Sequence, residues 1–597
     1  MRDQSTTVGL TLSKETHLEE RKMTMSVDLV LINPRVVGSD KAPPLSLLCL
    51  AAYVRKNGHS VSIIDAQAEE LSDDEVRAQV ISYKPILCGI TFMTSQVGIV
   101  RRLIKSLKTE GGPKIVAGGI HASVLPKETI ELGFDFCVVG EGEQTLVDLL
   151  YALKNKSSLE INGLWSERFR PREFINDLDT LPMPAWDLVP TKKYEVSQPD
   201  LRYEMEPGVC MTISTSRGCL YSCSFCSSHG VFAHTHRDRS PSNVVDEIEM
   251  LYRKYGIAKF FLVDESILGN KKRAEKLAQE ILERGLNVRF ASSARVTDPG
   301  VNVDTLRKLR KAGMVRVDFG VESGSRCILK DIRKGITAES VIEAHRIAHE
   351  AGMTTCSLMI AGHLEEDWED VYDSLELIAN IETEFCEFGP LTPYPGTEVY
   401  RKAAKEGWIR NFDWDMYYIS NPYRVMRSRC FSYQEIYMLG LMCTDAARFM
   451  INWKKKKGRS WHDFYSTLKS SCIGLKPIGR YWLAKYMITR DREFLRRLSF
   501  KQLKWRPPNF KHPEDASLLV GIRRNPMSIF KKENKKRLFK LLPPLLLNRL
   551  KESIAALLYQ TIYAFKLVKF VKTTSSQTKE LEIFAQPEIE VPAEAHQ

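Results

Sequence analysis

Three cysteines stand close together near the middle of this 597-residue chain. The segment reads Ser216-Arg-Gly-Cys219-Leu-Tyr-Ser-Cys223-Ser-Phe-Cys226, which is a C-x3-C-x2-C spacing. Three thiolates at this spacing can bind three irons of a four-iron four-sulfur cluster, and the fourth iron then stays open to an outside ligand. Because His229 follows three positions after Cys226, a structural Cys3His zinc site is the alternative that the spacing leaves open.

The cysteine loop follows the first strand of a repeating strand and helix pattern. Four predicted helices end at Gly256, Gly285, Gly313 and Gly352, and a glycine just past a helix end is typical of termination in the left-handed region. The predicted strands are 211–216, 259–263, 288–292, 316–321, 354–361 and 387–392. Six such units predict a partial TIM barrel, a (β/α)6 fold whose chemistry lies on the loops after the strands.

The cysteine loop, with aromatic Phe225 before its third cysteine, resembles the cluster loop of the radical S-adenosylmethionine (SAM) superfamily. Further segments match this family in order, and the resemblance covers residues 211–410. The matching segments are Phe261-Leu-Val-Asp264-Glu265, Ser293-Ala-Arg295-Val, Gly320-Val-Glu322-Ser323-Gly324, Arg333-Lys334-Gly335 and Thr392-Pro-Tyr-Pro-Gly-Thr397.

The resemblance implies that the three cysteines are the metal ligands of a [4Fe–4S] cluster and that SAM chelates the open iron. An electron from the cluster, delivered by a flavodoxin or ferredoxin type of donor, would break a carbon–sulfur bond of SAM. The resulting 5′-deoxyadenosyl radical would take hydrogen from an unactivated carbon. The implied SAM contacts are Phe225, Asp264, Ser293, Arg295 and Glu322.

Two features limit how far the family's residues can be carried over. Arg295 and Glu322 are the first candidates for polar contacts to SAM, but both are residue types that also form buried ion pairs. His363 lies in Ala361-Gly-His-Leu, where relatives often have Gly-x-Pro. We interpret His363 as a loop variation or, alternatively, as an acid or base that faces the substrate. No catalytic residue is assigned beyond the cluster.

The amino-terminal part of the chain shows a second alternation of short apolar strands and helices. Predicted strands cover 27–33, 61–65, 86–92, 114–117 and 136–139, and a helix is predicted over 45–56. This order predicts a doubly wound, flavodoxin-like parallel sheet, in which a ligand lies at the carboxyl ends of the strands. These ends are small, polar or glycine-rich, as expected for the wall of a bulky ligand's site.

The strand ends resemble those of the cobalamin-binding domain in one radical SAM subfamily, the class B methyltransferase-like enzymes. The closest matches are Gly118-Gly119-Ile-His121-Ala122 and Val139-Gly-Glu-Gly-Glu143. The implied cobalamin contacts are Thr91, Gly118, Gly119, His121, Gly140, Glu141 and Gly142.

The way in which cobalamin would bind also follows from this resemblance. Asn33-Pro34 follows the first strand, and no Asp-x-His-x-x-Gly stands there, so we expect base-off cobalamin without a histidine ligand. His121 is accordingly interpreted as a packing or corrin-tail residue. The alternative for the whole domain is a flavodoxin-like fold without a cofactor.

The formal net charge of +12 is divided unevenly along the chain. Residues 451–597 carry 31 Lys or Arg and 12 Asp or Glu, whereas residues 1–450 have a small acidic excess. Residues 545–568 show a helical apolar stripe flanked by lysines, which favours either peripheral contact with the inner face of a membrane or packing on the barrel. Nucleic acid is not expected as a partner, because no binding module accompanies the charge.

The cysteine content and the amino-terminal residues indicate the cellular compartment in which we expect the protein. Residues 1–22 alternate in charge and lack the apolar core of a signal peptide, so we expect a cytoplasmic protein with reduced thiols. We predict a disordered amino terminus (1–25), a cobalamin-binding domain (26–150) and a linker (151–204). A radical SAM core (205–425), a helical basic region (426–575) and a disordered tail (576–597) follow.

The combination predicts a cobalamin-dependent C-methyltransferase that acts on an unactivated carbon of a lipid-like or secondary-metabolite substrate. The first alternative is a cobalamin-dependent ring-forming or redox enzyme without net methyl transfer. The second alternative is a non-catalytic cobalamin-binding sensor, although a sensor has no need of an open iron.

Overall fold

The computed structural model describes residues 26–36, 41–108, 112–194, 208–417, 425–455, 466–467 and 470–471. All of these residues fall within one unit, Met1–Phe539. The predictions of disorder at residues 1–25 and 576–597 and of an amphipathic helix over 545–568 lie outside the described residues.

The amino-terminal domain is a five-stranded parallel sheet with helices on its faces. The strands have the order 2-1-3-4-5. They are β1 (Leu29–Asn33), β2 (Val61–Asp65), β3 (Leu87–Thr91), β4 (Lys114–Gly118) and β5 (Phe136–Cys137). The helices are α1 (Leu45–Lys56), α2 (Ala66–Glu69), α3 (Asp73–Tyr83), α4 (Val97–Leu107), α5 (Ile120–Val124), α6 (Pro126–Glu131) and α7 (Glu143–Asn155). The predicted doubly wound fold is confirmed.

Apolar burial explains why these segments form a parallel sheet. Residues 29–32 of β1 are all buried, as expected of a central strand that is covered on both faces. Helix α4 buries Val97, Val100, Leu103, Ile104 and Leu107, one face at helical spacing.

The second domain is a six-stranded parallel sheet with a small hairpin beside it. The sheet contains β6 (Met211–Ile213), β9 (Lys259–Leu262), β10 (Arg289–Ala294), β11 (Met314–Glu322), β12 (Thr354–Ala361) and β13 (Phe385–Pro390), in this spatial order. The antiparallel hairpin pairs β7 (Ser216–Arg217) with β8 (Arg237–Asp238). The prediction of a partial (β/α)6 barrel is confirmed.

Helices connect and cover the second sheet. They are α8 (His229–Phe232), α9 (Pro241–Tyr255), α10 (Lys271–Glu283), α11 (Val303–Lys311), α12 (Arg326–Asp331), α13 (Ala338–Glu350), α14 (Trp368–Asn380), α15 (Glu398–Lys405) and α16 (Tyr433–Lys454). The four predicted helix-ending glycines all have positive φ, for example 69° at Gly256 and 107° at Gly313. Among the described residues, no helix is both long and apolar enough to cross a bilayer.

Helix α16, at the start of the region predicted as helical and basic, packs on the outer edge of the barrel sheet. The backbone N–H of Phe388 in edge strand β13 donates to Thr444 Oγ1 at 3.0 Å. Near the end of the helix, Lys454 Nζ donates to the carbonyl oxygen of Ile381 at 2.7 Å. The helix therefore covers an edge that would otherwise leave backbone donors unpaired.

His345 makes stability sensitive to acid. The imidazole is buried between the carbonyl oxygen of Val341 and Oγ of Ser357, each at 2.9 Å, and burial lowers its pKa to about 4. In the unfolded chain His345 binds a proton near pH 6.5, whereas in the folded chain it stays neutral until about pH 4. The stability contributed by the neutral imidazole is therefore lost as pH falls from about 6.5 towards 4. We expect thermal unfolding of His345→Gln to show a shallower fall in midpoint than the wild type between pH 7.5 and 5; equal slopes would contradict this assignment.

Candidate active site

The cysteine loop runs from Gly218 to His236, between the two strands of the β7–β8 hairpin. Its start is held by Asp264, whose Oδ1 accepts hydrogen bonds from the N–H groups of Thr215 and Ser216 at 2.7 and 2.9 Å. These bonds draw the chain out of the barrel sheet, so the strand predicted over 211–216 divides into β6 and β7. Gly218 (φ 83°) is required because a Cβ there would lie 2.2 Å from the carbonyl oxygen of Thr235.

Asp264 is thus occupied in holding the loop, and its predicted contact with SAM stays a prediction. Its other oxygen, Oδ2, accepts from Thr215 Oγ1, and burial raises the pKa of the carboxyl group. We expect Asp264→Asn to lose cluster iron faster than the wild type during anaerobic gel filtration, because the amide cannot accept all these bonds.

A matched control for this variant is Asp367→Asn in the cap of α14, where the carboxylate also accepts two backbone N–H groups. We expect the control to lower the unfolding midpoint and to leave iron retention unchanged. Equal iron loss in the two variants would mean that Asp264 acts on general stability alone.

The three thiols of the loop influence one another. Burial raises the pKa of Cys226 to about 11, and the neighbouring Cys223 and Cys219 add to the effect. Within the described ranges, no three His, Cys, Asp or Glu side chains converge closely enough to ligate a single metal ion. Three neighbouring thiols meet the requirement of a [4Fe–4S] cluster, in which each sulfur binds a different iron.

The polypeptide around the loop holds it from the opposite side as well. The N–H of Ser224 donates to the carbonyl oxygen of Ile332, and the N–H of Val399 donates to the carbonyl oxygen of Ser224, each at 3.1 Å. Arg333 Nε donates to the carbonyl oxygen of Ser222 at 2.9 Å. The thiol-bearing backbone is therefore fixed at several points before any cluster binds.

Arg295 lies against the cysteine loop. Its guanidinium stacks 3.6 Å above the ring of Tyr221, and Nη1 lies 3.7 Å from Cys223 Sγ as a hydrogen-bond donor. Nη2 donates to the carbonyl oxygen of Lys334. Its buried Nε has no hydrogen-bond partner in the part of the chain that the structure describes, so a donor is left for a ligand carboxylate such as that of SAM.

Glu322 ends β11 beside this arginine, in the left-handed region with φ 66°. Its carboxylate accepts from Lys334 Nζ at 2.8 Å, so the ion-pair role considered from the sequence is present. A Cβ on Gly320 would lie within 3 Å of both partners, which explains the glycine. Arg295, Lys334 and Glu322 form a continuous polar group next to the cysteines, and it is suited to SAM's amino acid moiety.

The remaining SAM candidates are less directly placed. Ser293 is half-buried in β10, one residue before the strand ends at Ala294. Phe225 is half-buried against the core. His363 is fully buried, with Nε2 at 3.5 Å from the carbonyl oxygen of Glu322, and burial lowers its pKa to about 4. This position favours the loop interpretation of His363 over an exposed acid or base.

The cobalamin candidates lie at the carboxyl ends of β3, β4 and β5. A Cβ built on Gly118 would meet nothing within 4 Å, so the backbone there faces open space. Gly119 has φ 96°, and a Cβ there would lie 2.8 Å from Thr91 Oγ1. Met93, on the same edge, is 57% exposed. This open, glycine-lined edge fits a bulky planar ligand, and we call it the cradle.

A serine that we did not assign from the sequence joins the two glycine turns of the cradle. Ser123 Oγ donates to the carbonyl oxygen of Gly119 at 2.9 Å and accepts from the N–H of Gly140 at 3.1 Å. Gly140 itself has φ 81°, whereas Gly142 packs against Leu50 of α1. Gly142 therefore serves packing within the domain.

The imidazole of His121 lies inside the amino-terminal domain and has no exposed surface. Its Nδ1 lies 3.1 Å from Thr94 Oγ1, and its ring contacts Phe92 and the edge of Trp414. Burial lowers the pKa of His121 to about 4. The packing role considered from the sequence fits this position; a side-chain contact with the cofactor does not, because the ring reaches no open space.

The carboxylate of Glu141, a predicted cobalamin contact, is paired with two arginines. Its carboxylate accepts from Arg217 Nη1 at 2.8 Å and from Arg237 Nη1 at 2.9 Å, and both arginines flank the cysteine loop. Neither arginine was predicted to be functional. Their positions immediately outside the loop are visible in the sequence, but their glutamate partners, 74 to 96 positions away, are not.

Comparisons with known proteins agree with this arrangement. A model of the radical SAM superfamily matches residues 213–378, and a model of the B12 binding domain matches residues 35–150. The uncharacterized methyltransferase PH0819 of Pyrococcus horikoshii is 32% identical over 412 residues, which cover 67% of this chain and 86% of the relative.

Two further proteins extend the comparison. The anaerobic magnesium-protoporphyrin IX monomethyl ester cyclase of Rubrivivax gelatinosus is 27% identical over 426 residues, which cover 69% of this chain and 74% of the relative. The solved structure of the cobalamin-dependent SAM radical enzyme OxsB, with aqua-cobalamin and SAM bound, superposes with a TM-score of 0.60. It is 18% identical and covers 89% of this chain and 82% of that chain, so it supports the fold.

Proposed function

Because the chain belongs to the cobalamin-binding subfamily of the radical SAM superfamily, and is thus a radical SAM enzyme, we propose that it is a C-methyltransferase. The substrate position that it modifies is an unactivated carbon. The methyltransferase name of the relative with 32% identity supports this choice of reaction.

The observation that carries the proposal is the packing of the cysteine loop on the cradle. A Cβ on Gly230 of α8 would lie 2.4 Å from Val124 Cγ1 of α5, so the two helices touch. Gly140 of the cradle also approaches this helix, because a Cβ built on Gly140 would lie 3.8 Å from the carbonyl oxygen of Val231 in α8. A methyl donor and a hydrogen-abstracting group must reach the same carbon, and adjacent sites satisfy this requirement.

The chain's own residues hold and orient the reactants. When bound, the cluster supplies the electron that cleaves SAM, and cobalamin supplies the methyl group. Cys219, Cys223 and Cys226 hold the cluster, and Arg295 with Glu322 orients the amino acid end of SAM. Gly118 and Gly119 let the backbone approach the corrin closely. We include base-off binding in the proposal because His121, which follows the cradle residues Gly118 and Gly119, is buried with its Nδ1 facing Thr94.

The substrate class that we propose is apolar and lipid-like. Ser357 contacts His345 of α13, so the next residue, Leu358, points to the opposite face of the sheet, the inside of the barrel. Leu358 is 37% exposed there, and Val263, after β9, is 40% exposed. Exposed apolar side chains in the barrel strands and just after them suit an apolar substrate portion.

A second candidate function, ring formation without net methyl transfer, is favoured by the similarity to the cyclase of Rubrivivax gelatinosus. Both candidates use the same cysteines and the same SAM site. They differ in whether S-adenosylhomocysteine accumulates, because only methyl transfer consumes a second SAM to replace the methyl group.

The test uses anaerobically reconstituted protein with cobalamin, reductant and SAM carrying a deuterated methyl group. Membrane-lipid and water-soluble extracts serve as separate substrate sources, and deoxyadenosine, S-adenosylhomocysteine and labelled products are quantified. We expect both SAM products and a labelled lipid. Label in a water-soluble compound would overturn the lipid class alone, and deoxyadenosine without S-adenosylhomocysteine would overturn methyl transfer in favour of ring formation.

The partners proposed from the sequence remain part of this proposal. A flavodoxin or ferredoxin would deliver the electron, and the reaction would take place in the cytoplasm. Contact with the inner membrane face rests on residues 545–568, which lie outside the described residues.

A further inference from the structure

The two ends of the cysteine loop carry arginines that stand side by side. Arg217 of β7 and Arg237 of β8 are register partners in the antiparallel hairpin that closes the loop. Like charges directly opposite one another destabilise a strand pair. The hairpin has only two residue pairs, so these charges must be balanced from elsewhere.

The balance comes from the amino-terminal domain. Arg217 donates from Nη1 to Glu141 at 2.8 Å and from Nη2 to Glu143 at 2.7 Å. Arg237 Nη1 lies within 3.0 Å of both oxygens of Glu141. We call Arg217, Arg237, Glu141 and Glu143 the junction cluster, and two positive charges meet two negative ones in it.

The junction cluster is shielded from water. The side chain of Arg217 is 15% exposed, and that of Glu143 is 4% exposed. Burial opposes ionisation of Glu141, but hydrogen bonds from Arg237 and Arg217 hold its pKa below the usual range. A buried charge without a partner is costly, so neither pair of charges is stable here without the other domain.

A third segment completes the junction. The N–H of Ile175 donates to Glu141 Oε2 at 2.9 Å, and the carbonyl oxygen of Ile175 accepts from Arg237 Nη1 at 2.8 Å. The ring of Phe174 lies 4.8 Å from the Arg237 guanidinium. Glu141 is therefore held in one orientation, and it sits between the two glycines that close the cradle turn.

We propose that Arg217 is a positioning residue that sets the distance between the cluster and cobalamin. It fixes the start of the cysteine loop to Glu141 of the cradle turn, and Arg237 fixes the end of the loop to the same glutamate. This inference rests on the cluster and cobalamin sites of the proposed function and does not depend on methyl transfer. Arginine suits the task because its planar fork can bond to two carboxylates at once, whereas lysine offers a single point charge.

The test compares Arg217→Met and Arg217→Lys with the wild type, each loaded with cluster and cobalamin. Reduced [4Fe–4S] and cob(II)alamin are both paramagnetic, so their magnetic coupling in electron paramagnetic resonance reports the separation. We expect one defined coupling in the wild type, a broadened or weaker coupling in Arg217→Met, and an intermediate result in Arg217→Lys. The amount of modified substrate formed per deoxyadenosine released should fall roughly tenfold in Arg217→Met. A small displacement of the reactants lowers the rate of the step that joins them.

The matched control is Arg172→Met, which removes an arginine that bonds to Thr145 and Asp148 within the amino-terminal domain. We expect its coupling to equal that of the wild type. Glu143→Gln should resemble Arg217→Lys, and the double variant Arg217→Met with Glu143→Gln should be no worse than Arg217→Met alone. An unchanged coupling in Arg217→Met, with normal cofactor content, would overturn the proposal.

Hydrogen–deuterium exchange of the cofactor-free protein tests the positioning role of Arg217 separately from the proposed cofactor sites. We expect faster exchange in residues 215–239 of Arg217→Met and no change in these residues in Arg172→Met. If the wild type binds neither cofactor, the proposed function is overturned. Unchanged exchange in Arg217→Met would then overturn the positioning role as well.

Discussion

Replacing Cys223 by alanine is expected to abolish cleavage of SAM while the protein remains folded. Cys223 is the middle one of the three proposed cluster ligands, and its sulfur lies 3.7 Å from Nη1 of Arg295. Changes to partners of metal ligands already cost about 10–100-fold in metal affinity or activity, so loss of a ligand itself should cost more than about 100-fold. Iron and sulfide content and deoxyadenosine formation are the measurements.

Cysteines outside the loop provide the control for this prediction. Cys327 is exposed and Cys137 is buried in the amino-terminal domain. We expect Cys327→Ala to retain the full iron content and activity. Cys137→Ala should lower the unfolding midpoint through lost packing while retaining the iron. Full iron content in Cys223→Ala would contradict the cluster assignment.

Replacing Gly118 by leucine is expected to prevent cobalamin binding without disturbing the fold. Nothing lies within 4 Å of a Cβ at this position, and its φ is not in the left-handed region, so the backbone accepts a side chain. The side chain would project into the cradle, the space that we propose for the corrin. The measurement is cobalamin bound after gel filtration, followed by its visible absorbance.

Two glycine variants make this prediction specific. Gly118→Ala fills less of the cradle, so it should weaken cobalamin binding less than leucine does. Gly119→Ala should instead destabilise the whole domain by about 1 kcal/mol or more, because φ is 96° and a Cβ would approach the carbonyl oxygen of Phe92 to 2.9 Å. Normal cobalamin binding by Gly118→Leu would show that the cofactor lies elsewhere.

Local patterns in the sequence predicted most of the architecture. Helix α1 was expected over 45–56 and is found at Leu45–Lys56, and the predicted strands at 61–65 and 354–361 are found with the same bounds. Burial of successive apolar residues and glycines after helices are properties of neighbouring residues, so they can be read without knowing the fold. The cysteine spacing is local in the same sense.

The differences in strand bounds and the side-chain contacts that the sequence did not predict have a common physical cause. The strand expected over 211–216 is divided because Asp264, about 50 residues away, takes the N–H groups of Thr215 and Ser216. Propensity within the segment carries no information about an acceptor at that distance. The burial of His121 likewise depends on Trp414, which belongs to the other domain.

The sequence by itself determined the two α/β domains, the cysteine loop and the family to which they belong, because each depends on residues that are near one another in the chain. Only the tertiary structure decided what the charged residues around the loop contact. Glu141 resembled a cofactor residue by its glycine-rich setting, but its carboxylate bonds to arginines 76 and 96 positions away. The partner of a buried charge is set by how the domains pack, and residues near it in the sequence do not predict that packing.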